Sequence, residues 1–162
     1  MSIGIRVALS AVCAGITVLG FASLAAAEPQ VWGACGVSDN DAKVVRTFSI
    51  TTGPVGGKPG TLLCGNRDSG FRHIKDRHMA EWEGLAAIER RNWRDIVDMA
   101  IEKSLSSPDK FTTQDGGKFC YTGQIYLVNK VSGQIAQTVQ PTVIVTGSGK
   151  IITAFPGGGC AR

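Results

Sequence analysis

Residues 68–108, DSGFRHIKDRHMAEWEGLAAIERRNWRDIVDMAIEKSLSSP, decide the fold of this chain. Apolar side chains recur in them every three or four residues, in two separate runs, which predicts two amphipathic helices. The first helix covers about 70–87, with Asp68 or Ser69 as its N-cap. The second begins after Asn92, with Asp95 placed to complete the cap, and ends at the Ser-Ser-Pro of 106–108. The two apolar stripes are Phe71, Ile74, His78, Trp82 and Leu85, then Trp93, Ile96, Val97, Ala100, Ile101 and Leu105.

Segments rich in β-branched residues flank the helical region on both sides. They predict strands at 44–52 and 61–64 before the helices, and at 119–130, 134–146 and 151–155 after them. Pro141 marks a bulge or an edge position in the fourth of these, and 147–150 form a hairpin turn. The order of elements predicts an α+β fold, with two helices packed on one face of an antiparallel β-sheet.

The N-terminus has the pattern of a secretory signal peptide. Arg6 is followed by an uncharged, mostly apolar run over 7–27 that ends in Leu-Ala-Ala-Ala, and Glu28 comes next. We therefore expect cleavage after Ala27, which leaves a single α+β domain over 28–162 and no stable membrane insertion. The alternative is a retained membrane anchor, because the apolar run approaches the length of a span.

Cysteine usage agrees with export. Cys13 lies in the signal segment, and the remaining four are Cys35, Cys64, Cys120 and Cys160. Four cysteines in an exported domain predict two disulfides, with three pairings open. A zinc site is the alternative, and it is disfavoured because no CxxC pair occurs and the spacings are wide.

The charge of the predicted mature chain is mildly basic. Without Arg6 it carries 16 Lys and Arg against 13 Asp and Glu. This balance permits a polyanionic partner, although it is weaker than the charge of a typical nucleic-acid-binding domain.

The sequence holds two histidines, His73 and His78, both at the start of the first predicted helix. A separation of five residues turns a helix by about 500°, so the two side chains leave it about 140° apart, unlike the i, i+4 pair that holds one metal ion. His78 is expected to point toward the sheet and His73 toward the rim of a crevice. We therefore predict neither a metal nor a cofactor.

Four cations surround these histidines: Arg67, Arg72, Lys75 and Arg77. Histidine titrates near neutrality and can act as base or acid, while cations stabilise charge that gathers on a phosphate. Both features suit RNA cleavage without a metal. Each also has a structural interpretation: His78 as a core histidine, His73 as a surface histidine, and the cations as a solvated face that Asp76 and Glu81 partly neutralise.

The run Gly70-Phe71-Arg72-His73-Ile74-Lys75-Asp76-Arg77-His78 resembles the G-h-x-H-I-x-x-R-H signature of a family in the BECR superfamily. That superfamily groups barnase-like, EndoU-like, colicin-ribonuclease-like and RelE-like nucleases, with phage and polymorphic-toxin branches. The ending Lys150-Ile151-Ile152-Thr153-Ala154-Phe155-Pro156 is similar to its last strand, V-x-T-A-Y/F-P.

The resemblance covers about 61–156 and implies a compact, metal-independent ribonuclease with a cleft between the first helix and the sheet. It implies acid or base roles for His73 and His78, a phosphate-holding role for Arg77, and a phosphate or 2′-hydroxyl contact for Thr153. Lys75, Arg72 and Arg67 are the further candidates for substrate binding.

The expected function is therefore that of a secreted, monomeric ribonuclease that acts on RNA and could serve as a toxin, held in check by an inhibitor or immunity protein. A non-catalytic exported module, binding a protein or a surface polyanion, is the alternative. A hydrolase of cell-envelope material is disfavoured, because neither a nucleophile elbow nor a carboxylate pair is visible in the sequence.

Overall fold

The structure is a computed structural model that describes residues 32–33 and 35–160, so the predicted signal segment and its alternative as an anchor lie outside the described residues. The helices are α1, Phe71–Glu89, and α2, Trp93–Ser106. The strands are β1 Val44–Ser49, β2 Pro59–Leu63, β3 Lys110–Gln114, β4 Lys118–Thr122, β5 Ile125–Val128, β6 Ile135–Val139, β7 Thr142–Thr146 and β8 Ile151–Phe155.

The strands form three antiparallel sheets in this part of the chain. The largest has the order β3-β4-β7-β8, and the pairs β1-β2 and β5-β6 form two smaller sheets. A single parallel bridge between Thr61 and Lys150 connects β2 to the start of β8. Both helices pack against these sheets, which confirms the predicted α+β class.

Two predicted strands are each divided in the structure. The segment 119–130 breaks at Gly123, whose N–H donates to Ser104 Oγ at 3.1 Å. A Cβ at Gly123 would lie 2.8 Å from the Lys103 carbonyl oxygen, so glycine allows this close approach to the end of α2. The segment 134–146 breaks at Pro141, which has no N–H to donate to a ladder. β3 was not predicted, because Phe111 is its only large apolar residue and is itself exposed.

The predicted N-cap of α1 is wrong, whereas Asn92 is confirmed as the N-cap of α2; the Asp95 carboxylate lies near Arg91 Nε, at 3.7 Å, and does not complete the cap. Gly70 occupies the α1 cap with φ 84° and no side-chain hydrogen bond, so neither Asp68 nor Ser69 caps the helix. A Cβ at Gly70 would lie 2.7 Å from the Leu63 carbonyl oxygen, which favours glycine there. At α2, the Asn92 side chain accepts the Arg94 N–H at 2.9 Å.

Both disulfides are present, and the structure selects one of the three pairings. Cys35 bonds to Cys64 and Cys120 bonds to Cys160, with sequence separations of 29 and 40. Closing loops of these lengths removes entropy from the unfolded chain, which stabilises the fold by about 3 to 4 kcal/mol for each bridge.

The first described residue, Trp32, packs into the core. Its ring lies 5.9 Å from that of Phe71 and 6.2 Å from that of Trp93, edge-on to both. Its indole N–H donates to the buried Asp98 carboxylate at 2.6 Å, and Arg46 Nε donates to the same oxygen at 2.9 Å. The start of the described chain is therefore fixed to both helices. Within the described part of the chain, neither helix has the length and apolar character needed to cross a bilayer.

Candidate functional site

Two hydrogen bonds to backbone carbonyls of β8, the last strand, hold α1 against it. At the start of the helix, the Gly70 N–H donates to the Ile152 carbonyl at 2.8 Å. Three turns later, the indole of the fully buried Trp82 donates to the Ala154 carbonyl at 3.1 Å. Both histidines lie on the helix segment between these two hydrogen bonds. The backbone of this segment is therefore held against β8 on both sides of the histidines.

The two histidine rings meet beside this strand. Their centroids are 5.8 Å apart, with the ring planes at 69°. His78 stacks on the ring of Phe155 in β8, with centroids 5.1 Å apart, as its predicted orientation toward the sheet requires. The two side chains were expected to point away from each other, and for the rings this prediction is wrong. The side-chain torsions bring the two imidazoles together across the helix surface.

His73 has a defined tautomer. Its Nδ1 lies 2.7 Å from the backbone carbonyl oxygen of Arg67. A carbonyl oxygen only accepts hydrogen bonds, so Nδ1 carries the proton and the neutral ring keeps its lone pair on Nε2. A ring held this way is oriented to take a proton at Nε2.

His78 occupies a more enclosed position, with a side chain that is 20% exposed. Its Nδ1 is buried and has no hydrogen-bond partner among the described residues. Glu81 Oε1 lies 3.5 Å from this nitrogen, one turn along the helix. The His78 ring is therefore partly exposed, between the core and the surface. The Glu81 carboxylate beside it would stabilise a positive charge on the ring.

Thr153 does not open onto the surface. It lies in β8 opposite Ile144 of β7, and its Oγ1 is buried with no hydrogen-bond partner among the described residues. A substrate contact to this hydroxyl would need the strand to move. The structure thus brings the two histidines together at β8 but leaves the Thr153 hydroxyl beneath the surface.

The four predicted cations divide into two groups. Within the described part of the chain, the side chains of Arg67, Lys75 and Arg77 are exposed and make no hydrogen bond or ion pair. Arg72 differs, because its guanidinium donates to Asp41 Oδ1 at 2.6 Å and to four backbone carbonyls. Those carbonyls belong to Gly36, Val37, Asp39 and Gly65. Arg72 therefore fastens the 36–41 loop and has few donors left for a phosphate.

A cleft of about 390 Å³ lies beside the start of α1. Arg67 and Lys75 line it, together with Val37 and the Cys35 end of the first disulfide. The 36–41 loop forms one wall and is further held by Asp39, which accepts the Gly36 N–H and the Lys43 ammonium. These two hydrogen bonds lower the pKa of Asp39, with Lys43 as the larger cause.

Several residues of this site were not assigned a role from the sequence. Phe155 lies in the ending Lys150–Pro156, but nothing in the sequence pattern indicated that it would stack on His78. The Arg67 carbonyl and the 36–41 loop are backbone features, for which the sequence carries no motif. Among the described residues, no group of three His, Cys, Asp or Glu side chains is arranged to hold a metal ion.

Comparison with known proteins gives relatives but no family. No protein-family model matches the chain. Two uncharacterized proteins of Mycobacterium tuberculosis, from two strains, are each 33% identical to it over 141 residues. The alignment covers 80% of this chain and 50% of theirs, so the chain spans about half the length of the curated relatives it matches. It is thus similar, over most of its own length, to part of two larger mycobacterial proteins.

Proposed function

We propose that this protein is an exported, metal-independent ribonuclease that cleaves RNA by attack of the 2′-hydroxyl on the adjacent phosphate. The observation that carries the proposal is the histidine pair: two partly exposed imidazoles 5.8 Å apart, one of them with its tautomer fixed by a backbone carbonyl. A base and an acid on opposite sides of one phosphate are the groups that this reaction requires.

The proposed step assigns one role to each ring. His73 Nε2 takes the proton of the 2′-hydroxyl, and the 2′-oxygen bonds to phosphorus. The bond to the 5′-oxygen breaks, and His78, in its protonated form, gives that oxygen a proton. The products are a 2′,3′-cyclic phosphate and a 5′-hydroxyl. Arg77 is exposed one turn after His73 and would stabilise the negative charge that gathers on the phosphate oxygens.

Two earlier candidates are left out of this mechanism. The buried Oγ1 of Thr153 is out of reach of a substrate, and the guanidinium of Arg72 is engaged by the 36–41 loop. Membership of the BECR superfamily is part of the proposal and is supported by the helix motif, the β8 ending and the α+β order of the elements.

Export is also part of the proposal. The apolar run over 7–27 supports it at the level of sequence, and the two disulfides support it at the level of chemistry, since disulfides persist in oxidising compartments. A ribonuclease released in this way could act as a toxin, and the producing cell would then need an inhibitor that covers the histidine pair.

The test uses the exported, oxidised protein and a labelled single-stranded RNA in EDTA. We expect cleavage that leaves a 2′,3′-cyclic phosphate, with no cleavage of the same sequence as DNA or as 2′-O-methyl RNA. His73→Gln and His78→Gln should each lower kcat by about 100-fold or more, the usual contribution of acid–base catalysis. Circular dichroism should show that both variants remain folded.

Glu83→Gln is the matched control, because Glu83 is an exposed α1 residue that makes no ion pair within the described part of the chain. Its activity should equal that of the wild type. Cleavage that depends on added Mg²⁺, or histidine variants that retain full activity, would overturn the proposal.

A binding role is favoured by a different feature, the β5-β6 hairpin. Tyr126, Val131 and Ile135 expose large apolar surfaces on or beside it. Exposed apolar side chains grouped on one hairpin are typical of a protein-binding surface. If this surface carries the function, Val131→Ser with Ile135→Ser should abolish binding to a partner, while the histidine variants should leave binding unchanged.

A further inference from the structure

We infer that the cleft beside the start of α1 is a subsite for a nucleotide adjacent to the scissile phosphate of single-stranded RNA. The inference rests on the proposed ribonuclease function and names where its substrate would continue. The cleft is bounded by Cys35, Val37, Arg67, Phe71, Lys75 and Asp76.

Charge is the first argument for this ligand. Arg67 and Lys75 line the cleft, and both side chains are exposed without an ion pair to any described residue. Asp76 is the one acidic side chain among the residues that line it. Cations without a protein partner in a concave site favour a phosphate backbone, whose charge they neutralise with release of counterions.

Continuity with the histidine pair is the second argument. Arg67 belongs to both places: it is one of the residues that line the cleft, and its backbone carbonyl accepts the hydrogen bond from His73 Nδ1. A nucleotide in the cleft would therefore lie next to the proposed base. An RNA strand could pass from the cleft over the start of α1 to the two rings.

Shape is the third argument. A volume of about 390 Å³ is at the lower end of the range for small-molecule sites, about 300–1,000 Å³, and so suits one nucleotide better than a longer segment. The wall supplied by Val37 and Cys35 is apolar, and Val37 is fully exposed. An apolar wall beside two cations matches a nucleotide, which has an apolar base face and a charged phosphate.

The cleft is also held in shape without a ligand. The Cys35–Cys64 disulfide and the hydrogen bonds from Arg72 fasten the loop that forms its wall. A wall fixed in advance lowers the ordering cost of binding.

The experiment measures the binding of a fluorescent single-stranded DNA oligonucleotide to the oxidised protein by anisotropy, at several salt concentrations. This probe has the phosphate backbone but lacks the 2′-hydroxyl, so it is not cleaved. Arg67→Gln and Lys75→Gln should each weaken binding by about two- to fivefold. Each should also reduce the slope of log K against log salt by about 0.7, the value for one lost phosphate contact to a single strand.

Lys118→Gln is the matched control, since it removes an exposed lysine from β4, outside the cleft, and should change neither quantity. In RNA cleavage, Lys75→Gln should raise KM with little change in kcat, because it acts on binding rather than on the reacting atoms.

The outcomes separate the two proposals. Unchanged affinity, slope and KM in the Arg67 and Lys75 variants would overturn the subsite, even if the wild type cleaves RNA through its histidines. A reduced slope in these variants, in a protein that cleaves no RNA, would support phosphate binding in the cleft and overturn the ribonuclease function.

Discussion

His73 donates a hydrogen bond from Nδ1 to the backbone carbonyl oxygen of Arg67, at 2.7 Å. The acceptor is a main-chain atom in the turn that leads into α1, so it stays in place when side chains are changed. This contact orients the proposed base independently of the residue types around it.

Imidazole in solution should therefore restore activity to the His73→Ala variant. The Arg67 carbonyl would still be available to orient the added molecule in the space that the side chain leaves. We expect the rate of RNA cleavage to rise with imidazole concentration and to saturate, as measured in EDTA with the oxidised protein. His78→Ala lacks such an acceptor and serves as the comparison. Equal rescue of both variants would contradict the role of the Arg67 carbonyl.

Thr153→Val should leave activity within about twofold of the wild type. The Oγ1 of Thr153 is buried without a partner among the described residues, and valine has nearly the same shape without the hydroxyl. Removing an unsatisfied buried hydroxyl should leave the free energy of unfolding unchanged or raise it by up to about 1 kcal/mol. Urea denaturation and the cleavage assay measure the two effects. A tenfold loss of kcat would contradict this prediction and show that the Thr153 hydroxyl contributes to catalysis.

Arg72→Lys should destabilise the protein by about 2 kcal/mol, because hydrogen bonds from a charged donor contribute about 1.5–3 kcal/mol and an ammonium cannot replace the forked guanidinium. The lost contacts are those to the 36–41 loop and to Asp41. Binding of the DNA oligonucleotide should weaken as well, since the loop forms one wall of the cleft. A variant with wild-type stability would show that the disulfide and the Asp39 contacts hold the loop without help from Arg72.

Asp109 should make stability depend on acid pH. Its Oδ2 accepts the Gln124 N–H at 2.6 Å, and this bond, together with the nearby Lys103, holds the pKa of the Asp109 carboxyl below its usual value. A carboxylate with a lowered folded-state pKa stabilises the protein above its unfolded pKa, and this contribution is lost as the pH falls through the folded value.

Asp109→Asn should therefore flatten the fall of Tm between about pH 5 and pH 2, because the asparagine side chain does not titrate. Asp39 has a pKa lowered in the same direction by Lys43 and Gly36, so part of the acid sensitivity should remain in this variant. An unchanged profile of Tm against pH would contradict the proposed contribution of Asp109.

The helices, the cap at Asn92 and the presence of disulfides could be predicted from the sequence, because each depends on spacing or on residue count. The division of the strands at Gly123 could not, since it depends on how closely the backbone approaches the end of α2. The close approach of the His73 and His78 rings could not be predicted from the sequence either. It is set by side-chain torsions and by the position of Phe155, which the folding of β8 onto α1 determines. Arg72 belongs to the predicted cationic cluster, but its partners lie on a loop that is distant in sequence.

The bond between Cys120 and Cys160 encloses the β5-β6 hairpin and its exposed turn at 129–134. A protease that cuts this turn once would produce two fragments that stay covalently joined, because each carries one cysteine of the pair. The cut protein would run as one band on a non-reducing gel and as two after reduction. A protease that attacks this exposed turn would thus nick the protein without separating its two parts.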